Sequence, residues 1–238
     1  MKLRDHWLHD SGGLVWHWRA LRRRRSLWRP FRQQVAQWLA AWQPPEKALL
    51  LIGPSAGYTL DGAFLARWSS ISALEPDPLA RYLLRRRCGE RLQFADLDVF
   101  APQGMQALAA HYSGHAILFS NVLGQLAPRQ PEAARRWYAA LRTALAQRHW
   151  ASYHDVVSTA RRPDAVACQG IAGESLEALM ARFWHGGEVA ITDHCSFGLG
   201  LDAAAASALW KHRAVAHWAL GPAQHHLVEF LQHEPAQT

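Results

Sequence analysis

The sequence predicts an α/β fold: a doubly wound, mostly parallel sheet closed by a C-terminal antiparallel hairpin, with an N-terminal helical extension. Three observations predict it. From residue 48 onward, short apolar runs of strand length alternate with helical patterns, as expected of buried strands joined by crossover helices. Near the end, Val215–Leu220 and His225–Leu231 flank Gly221-Pro222, which reads as two antiparallel strands around a turn. Before residue 46, apolar residues at helical spacing precede Pro44-Pro45, which ends the pattern. The chain therefore divides into a helical extension or lid over residues 1–45 and a sheet domain over residues 46–238.

The extension holds two helical stretches. Leu14 to Leu27 interleaves aromatics with arginines, and Phe31 to Trp42 carries Val35, Trp38, Leu39 and Trp42 on one face. Trp16, Trp18, Leu21 and Trp28 are expected to dock on the domain, leaving the arginines in a solvated face. Ala48–Ile52 reads as a first strand, Gly53–Gly57 as a small-residue turn and Tyr58–Trp68 as a helix. Ile71–Glu75 is a second strand, Leu79–Arg87 a helix and Leu92–Phe94 a short third strand. His115–Phe119 is a fourth strand, Glu132–Gln147 a helix and Trp150–Val157 a fifth strand. Ser175–Trp184 and Ala203–His212 read as helices, with Val189–Asp193 extended between them.

Half of the 238 residues are hydrophobic, enough for one full α/β domain with a real core. No apolar run reaches the roughly 20 residues of a membrane span, and no secretory leader is legible, so the expectation is a cytoplasmic protein with no membrane partner. Cys88, Cys168 and Cys195 lack CxxC spacing, which points to reduced structural thiols. The net charge of +7 is concentrated locally, between Arg19 and Arg32. Arg22, Arg23, Arg24 and Arg25 among tryptophans could neutralise phosphates while the indoles stack on bases, so nucleic acid is a possible partner. They could equally hold an anionic small substrate.

Gly53-Pro-Ser-Ala-Gly57 carries the functional reading. A turn of small residues between a buried strand and a helix lets the backbone approach a ligand closely, with amides facing it. Such a turn serves nucleotide-type cofactors, and its G-x-S-x-G spelling also matches a hydrolase elbow with Ser55 as nucleophile. Position favours the cofactor, because the turn follows the first strand. The second strand ends at Glu75, about 20 residues on, where a ribose-binding acid belongs.

Four segments in order, Leu-Leu-Leu-Ile-Gly-Pro-Ser-Ala-Gly, Ser-Ala-Leu-Glu-Pro-Asp-Pro, Phe94-Ala-Asp-Leu and Ile117-Leu-Phe-Ser-Asn-Val-Leu-Gly, resemble the motifs of class I S-adenosylmethionine-dependent methyltransferases. The resemblance spans roughly residues 46 to 231. It implies S-adenosyl-L-methionine as cofactor, with Gly53, Ser55 and Gly57 along its methionine and ribose portion. It further implies Glu75 on the ribose hydroxyls, Asp96 toward the adenine amino group, Leu97 beside the ring, and Ser120 and Asn121 near the reacting methyl. Two departures stand out: Leu49–Ile52 lacks an acid before the turn, and Asn121-Val-Leu-Gly is not the Asn-Pro-Pro-Tyr of base and glutamine methylation.

For acid–base work the candidates are His154, His194 and Asp193, from Tyr153-His-Asp155 and Thr192-Asp-His194 near strand ends. Adjacent residues on a strand point oppositely, so His154 and Asp155 should not pair with each other. No local spacing supports a metal, and none is expected. His225-His226 reads as hairpin surface, and Glu229 as a buried partner for a basic group. The function these features imply is methylation of a small molecule or biosynthetic intermediate. An RNA-modifying methyltransferase and a non-catalytic scaffold of the same fold remain as alternatives.

Overall fold

The computed structural model describes residues 13–235 except Phe100, Pro102, Arg129 and Ala172; the side chains of Leu126, Ala203, Ser207 and Ala208 also lie outside the description. The first twelve residues of the expected extension therefore fall outside it.

The sheet begins with β1 (Ala48–Ile52), whose Leu49, Leu50 and Leu51 have no exposed surface. Around it lie β2 (Ser70–Leu74), β3 (Leu92–Phe94), β4 (His115–Ser120), β5 (Trp150–Thr159), β6 (Ala167–Gln169), β7 (Thr192–Asp193), β8 (Lys211–Gly221) and β9 (Gln224–His233). Their order is β3-β2-β1-β4-β5-β9-β8-β6, with β7 added beside β5. The pairs from β3 to β5 are parallel, and those of β5 with β9, β9 with β8 and β8 with β6 are antiparallel. This is the doubly wound sheet closed by a hairpin that the sequence predicts.

Helices are placed by local chemistry. α1 (Gly13–Arg23) and α2 (Arg29–Ala41) come first. The short α3 (Gly62–Ala66) starts where Asp61 accepts from the Phe64 amide, 2.7 Å. α4 (Pro78–Cys88) combines Pro78 in its first turn with an Asp77 cap on the Leu79 and Ala80 amides. α5 (Gly104–His111), α6 (Leu123–Leu126), α7 (Pro131–Ala144), α8 (Leu176–Phe183) and α9 (Ala203–Leu209) complete the set. None of the helices described is long and apolar enough to cross a membrane.

On one sheet face, Phe31, Val35 and Leu39 of α2 pack with Leu49, Leu51, Tyr153, Trp218 and Phe230. On the other, Tyr138 and Leu141 of α7 cover Leu50, Ile52, Phe119 and Trp150. The docking face of α1 differs from expectation. Trp16, His17 and Ala20 turn inward together with Trp28, while Trp18 and Leu21 remain 59% and 54% exposed. Helical spacing groups Leu14, Trp18 and Leu21 on one outer stripe, so docking through Trp16 and Ala20 turns them to solvent.

Candidate functional site

The turn after β1 is built from backbone that ordinary residues avoid. Gly53, Ser55, Ala56 and Gly57 have φ of 63°, 44°, 60° and 66°, all in the left-handed region. Arg87 of α4 holds this shape by donating to the carbonyls of Ala56, Gly57 and Leu60. A Cβ at Gly53 would lie 2.1 Å from Val122 Cγ1. Gly53→Ala is therefore expected to cost about 1–3 kcal/mol in urea unfolding. Adding Val122→Ala should recover only the part due to overlap, since the φ strain persists.

Glu75, one residue past β2, ties two loops together. The Ser55 amide donates to its Oε2 at 2.7 Å and the Asp77 amide to its Oε1 at 3.0 Å. Burial pushes its carboxyl up to about 7, against the pull of the Asp77 and Ser55 amides. Arg81 of α4 donates to the Glu75 carbonyl at 2.6 Å and pairs with Asp96 beyond β3, its guanidinium lying over Phe94. Asp96 remains largely exposed and Leu97 half-buried.

Ser120, the last residue of β4, is buried. Asn121 follows with φ of 57°, its amide bonded to the Tyr153 carbonyl and its Nδ2 donating to Asp155 Oδ2 at 3.2 Å. Asn121 Oδ1 is buried without a partner. The order β3-β2-β1-β4 thus brings Asp96, Glu75, the Gly53–Gly57 turn and Asn121 to the carboxyl edge of four neighbouring strands.

The three acid–base candidates part company. His154 has no exposed surface; Nδ1 lies 3.0 Å from Ser152 Oγ, and Nε2 lies 3.3 Å from the Ser196 carbonyl and 3.4 Å from Glu229. It belongs to a buried network that includes Arg213, which donates to Glu229 at 2.6 Å, so Glu229 does hold a basic partner. Asp193 is exposed, accepts from the Cys195 amide at 2.7 Å, and lines a cleft of about 490 Å³ with Arg135, Cys195, Phe197 and Asp202. His194 lies between these places, with Nε2 3.2 Å from Ser158 Oγ and its ring stacked on His226 at 6.1 Å.

His225 and His226, expected at the surface, are buried because β9 is a central strand with β5 and β8 on either side. Asp155 Oδ1 lies 2.9 Å from His226 Nδ1. As expected, His154 and Asp155 point to opposite sides. Burial works upward on Asp155, but His226, His194 and Asn121 together hold its carboxyl below the ordinary range.

Sequence reasoning did not find Arg87, the Asp155–His226 pair or His17. His17 Nδ1 lies 2.7 Å from the Tyr58 hydroxyl and Nε2 3.0 Å from Asp77, which fastens α1 to the residues that follow the turn and Glu75. No hydrogen bond joins an imidazole to the Ser55 hydroxyl among the described residues, so a hydrolase elbow there lacks its base. No group of three metal-ligating side chains is assembled among the described residues, and Cys88, Cys168 and Cys195 form no disulfide with one another.

No family model matches the sequence, and no curated protein matches it. Solved structures are similar in outline. A SAM-dependent methyltransferase from Anabaena variabilis is 11% identical over 92% of this chain and 93% of its own, with a TM-score of 0.49. The DhpI–SAH complex is 12% identical over 94% and 95%, with a TM-score of 0.44. The N-methyltransferase NodS from Bradyrhizobium japonicum, in complex with S-adenosyl-L-homocysteine, is 15% identical over 85% and 86%, with a TM-score of 0.43. None of the site residues is assigned by these likenesses.

Proposed function

We propose that this chain is a cytoplasmic S-adenosylmethionine-dependent methyltransferase acting on a small-molecule acceptor. One observation carries the reading: the left-handed Gly53–Gly57 turn, the buried Glu75 carboxyl and the unpartnered Asn121 Oδ1 share one edge of the sheet. These groups fit the cofactor's chemistry. Glu75 would accept from ribose hydroxyls, Asp96 from the adenine amino group, and Asn121 Oδ1 from the methionine amino group. Gly53, Ser55 and Gly57 would let the methionine chain approach the backbone, with Leu97 against the adenine and Ser120 beside the methyl. Bound S-adenosylmethionine supplies an electrophilic methyl group on a sulfonium. His17 ties α1 to Tyr58 and Asp77, next to the turn and Glu75, and this proximity supports a small acceptor.

The test is calorimetry with S-adenosylmethionine across pH. Glu75 is half protonated near pH 7 in the free protein, and hydroxyl donors favour its carboxylate, so binding expels a proton. Affinity should rise with pH and level off above 7, by about tenfold between pH 6 and 8. Glu75→Gln should flatten the dependence, and Glu75→Ala should weaken binding by roughly 10- to 100-fold. Binding that is absent at every pH, or unchanged in Glu75→Ala, refutes the proposal.

A second reading follows from Trp18, 59% exposed with the Arg22 guanidinium 5.3 Å above its ring, beside exposed Arg25 and Arg29. This face suits RNA as the acceptor. Arg23 instead donates to the Leu220 carbonyl, so it is occupied within the fold. If RNA is bound here, Arg22→Gln with Arg25→Gln should lower the slope of log affinity against log salt by roughly two. An unchanged slope excludes this face.

A further inference from the structure

We propose that His226, held by Asp155, is the general base of the methyl transfer, and that the acceptor is a hydroxyl group. The inference rests on the methyltransferase reading and names the acceptor chemistry within it.

The pair is made by an irregularity that no pattern in the sequence reveals. β5 and β9 run antiparallel, with Asp155 opposite Val228 and Ser158 opposite His226, and the register shifts between Asp155 and Val157. Such bulges re-aim side chains and are common beside active sites. Here the shift accompanies the approach of Asp155 Oδ1 to His226 Nδ1, 2.9 Å. Asp155 is 2% exposed, and its Oδ2 accepts from Asn121 Nδ2 at 3.2 Å and Gln125 Nε2 at 3.5 Å.

A carboxylate 2.9 Å from Nδ1 favours the tautomer with the proton there and a lone pair on Nε2, although the contact is not aligned as a hydrogen bond in this geometry. Nε2 of His226 has no hydrogen-bond partner among the described residues, and the side chain keeps 10% of its surface. Its surroundings are otherwise occupied. His194 stacks on the ring from beyond β7, His217 of β8 and His225 of β9 bond to each other at 2.9 Å, and Arg162 contributes positive charge nearby.

The pair is joined to the proposed cofactor edge by contiguous contacts. Val122 lies against Gly53, Asn121 bonds Asp155, and a Cβ at Gly124 would meet the Asp155 carbonyl at 2.3 Å. A buried carboxylate beside a neutral imidazole costs desolvation that an apolar pair would not, so it is poor as a mere fastener of two strands. It is well suited to receive a proton. As the acceptor oxygen forms its bond to the methyl carbon, the carbon–sulfur bond breaks and its electrons stay on sulfur. The hydroxyl proton passes to His226 Nε2, and the imidazolium is balanced by Asp155. A neutral amine has a free lone pair and needs no base to attack, whereas a hydroxyl does.

The experiment is a histidine-ring NMR titration of the full-length protein, free and saturated with S-adenosylmethionine or with S-adenosylhomocysteine, with His226 assigned through the backbone. The two ligands differ by a methyl and a unit positive charge. A sulfonium facing His226 should lower its titration midpoint by roughly half a pH unit or more relative to the homocysteine complex. In the free protein, Asp155→Asn should disturb the Nδ1-protonated tautomer, read from the ring nitrogen shifts. Should Asp155→Asn not fold, the two-ligand comparison on the natural chain decides alone. Equal midpoints in the two complexes would overturn the assignment of His226 while leaving cofactor binding intact. If neither ligand binds, the methyltransferase reading itself falls, and this inference with it.

Discussion

Glu229→Ala is expected to destabilise the protein by about 3–5 kcal/mol, the range for breaking a buried ion pair. Glu229 has no exposed surface, accepts from Arg213 Nε at 2.6 Å and from the Gly198 amide at 2.7 Å, and lies 3.4 Å from His154. Its loss strands the Arg213 guanidinium, which is itself buried over Phe197 at 4.5 Å. Replacing both partners, as Arg213→Met with Glu229→Leu, should recover much of the loss, because no charge is then left unpaired. Burial alone would raise the Glu229 carboxyl, yet His154 and Arg213 hold it below its ordinary value of 4.5. A lowered acid stabilises the fold above the ordinary value and loses that contribution as pH falls through the folded one. Urea midpoints of Glu229→Gln and the natural chain should therefore converge in acid and differ most near neutrality.

Phe31→Ala is expected to cost about 3–5 kcal/mol, the range for emptying a packed aromatic site. Phe31 is 1% exposed, stacks on Trp218 at 4.5 Å with planes 8° apart, lies edge-on to Tyr153 and packs tilted against Phe230. These partners lie on β5, β8 and β9, so α2 is packed as part of the domain. A single cooperative transition at lower urea would support that integration. Two transitions, with α1 and α2 leaving first, would restore them to the status of an extension. Tryptophan fluorescence reads both outcomes, since Trp28 and Trp218 meet edge to face at 5.2 Å.

Apolar runs told more about the fold than did turns. Ala48–Ile52 could be read because a strand buried on both faces is uniformly apolar, and the structure has that strand with the predicted ends. The expected helix from Tyr58 to Trp68 shrinks to Gly62–Ala66, because Arg87 draws the Ala56, Gly57 and Leu60 carbonyls into another path. That arginine lies too far along the chain for any local pattern to reveal it. Helices α5 and α6 and strand β6 escaped because each is short and has no strong period. Trp150–Val157 and His225–Leu231 were recognised but cut short, since a strand between two neighbours also takes in polar residues, half-buried Ser158 in β5 and buried Gln232 and His233 in β9.

The candidate site divides along the same line. Glu75 was legible from its distance to Gly53 and from the strand before it, and its side chain does meet the turn. Asp155 with His226 was not legible, because their approach depends on a register shift and on which strand lies beside β5. Paired positions across a sheet carry no spacing signal along the chain.

The two ends of the sheet have a further consequence. β3, at one end, and β6, at the other, are three residues each, although β5, β8 and β9 in the middle run to ten, eleven and ten. A long free margin would offer rows of unpaired amides and carbonyls to other chains, and would invite edge-to-edge aggregation in a crowded solution. At the β3 end the margin is short, whereas at the other end β6 covers only Ala214–Ala216 on the outer side of β8. The sheet thus withholds its backbone pairing from other chains at the β3 end by geometry, and a net charge of +7 opposes self-association over the remaining surface.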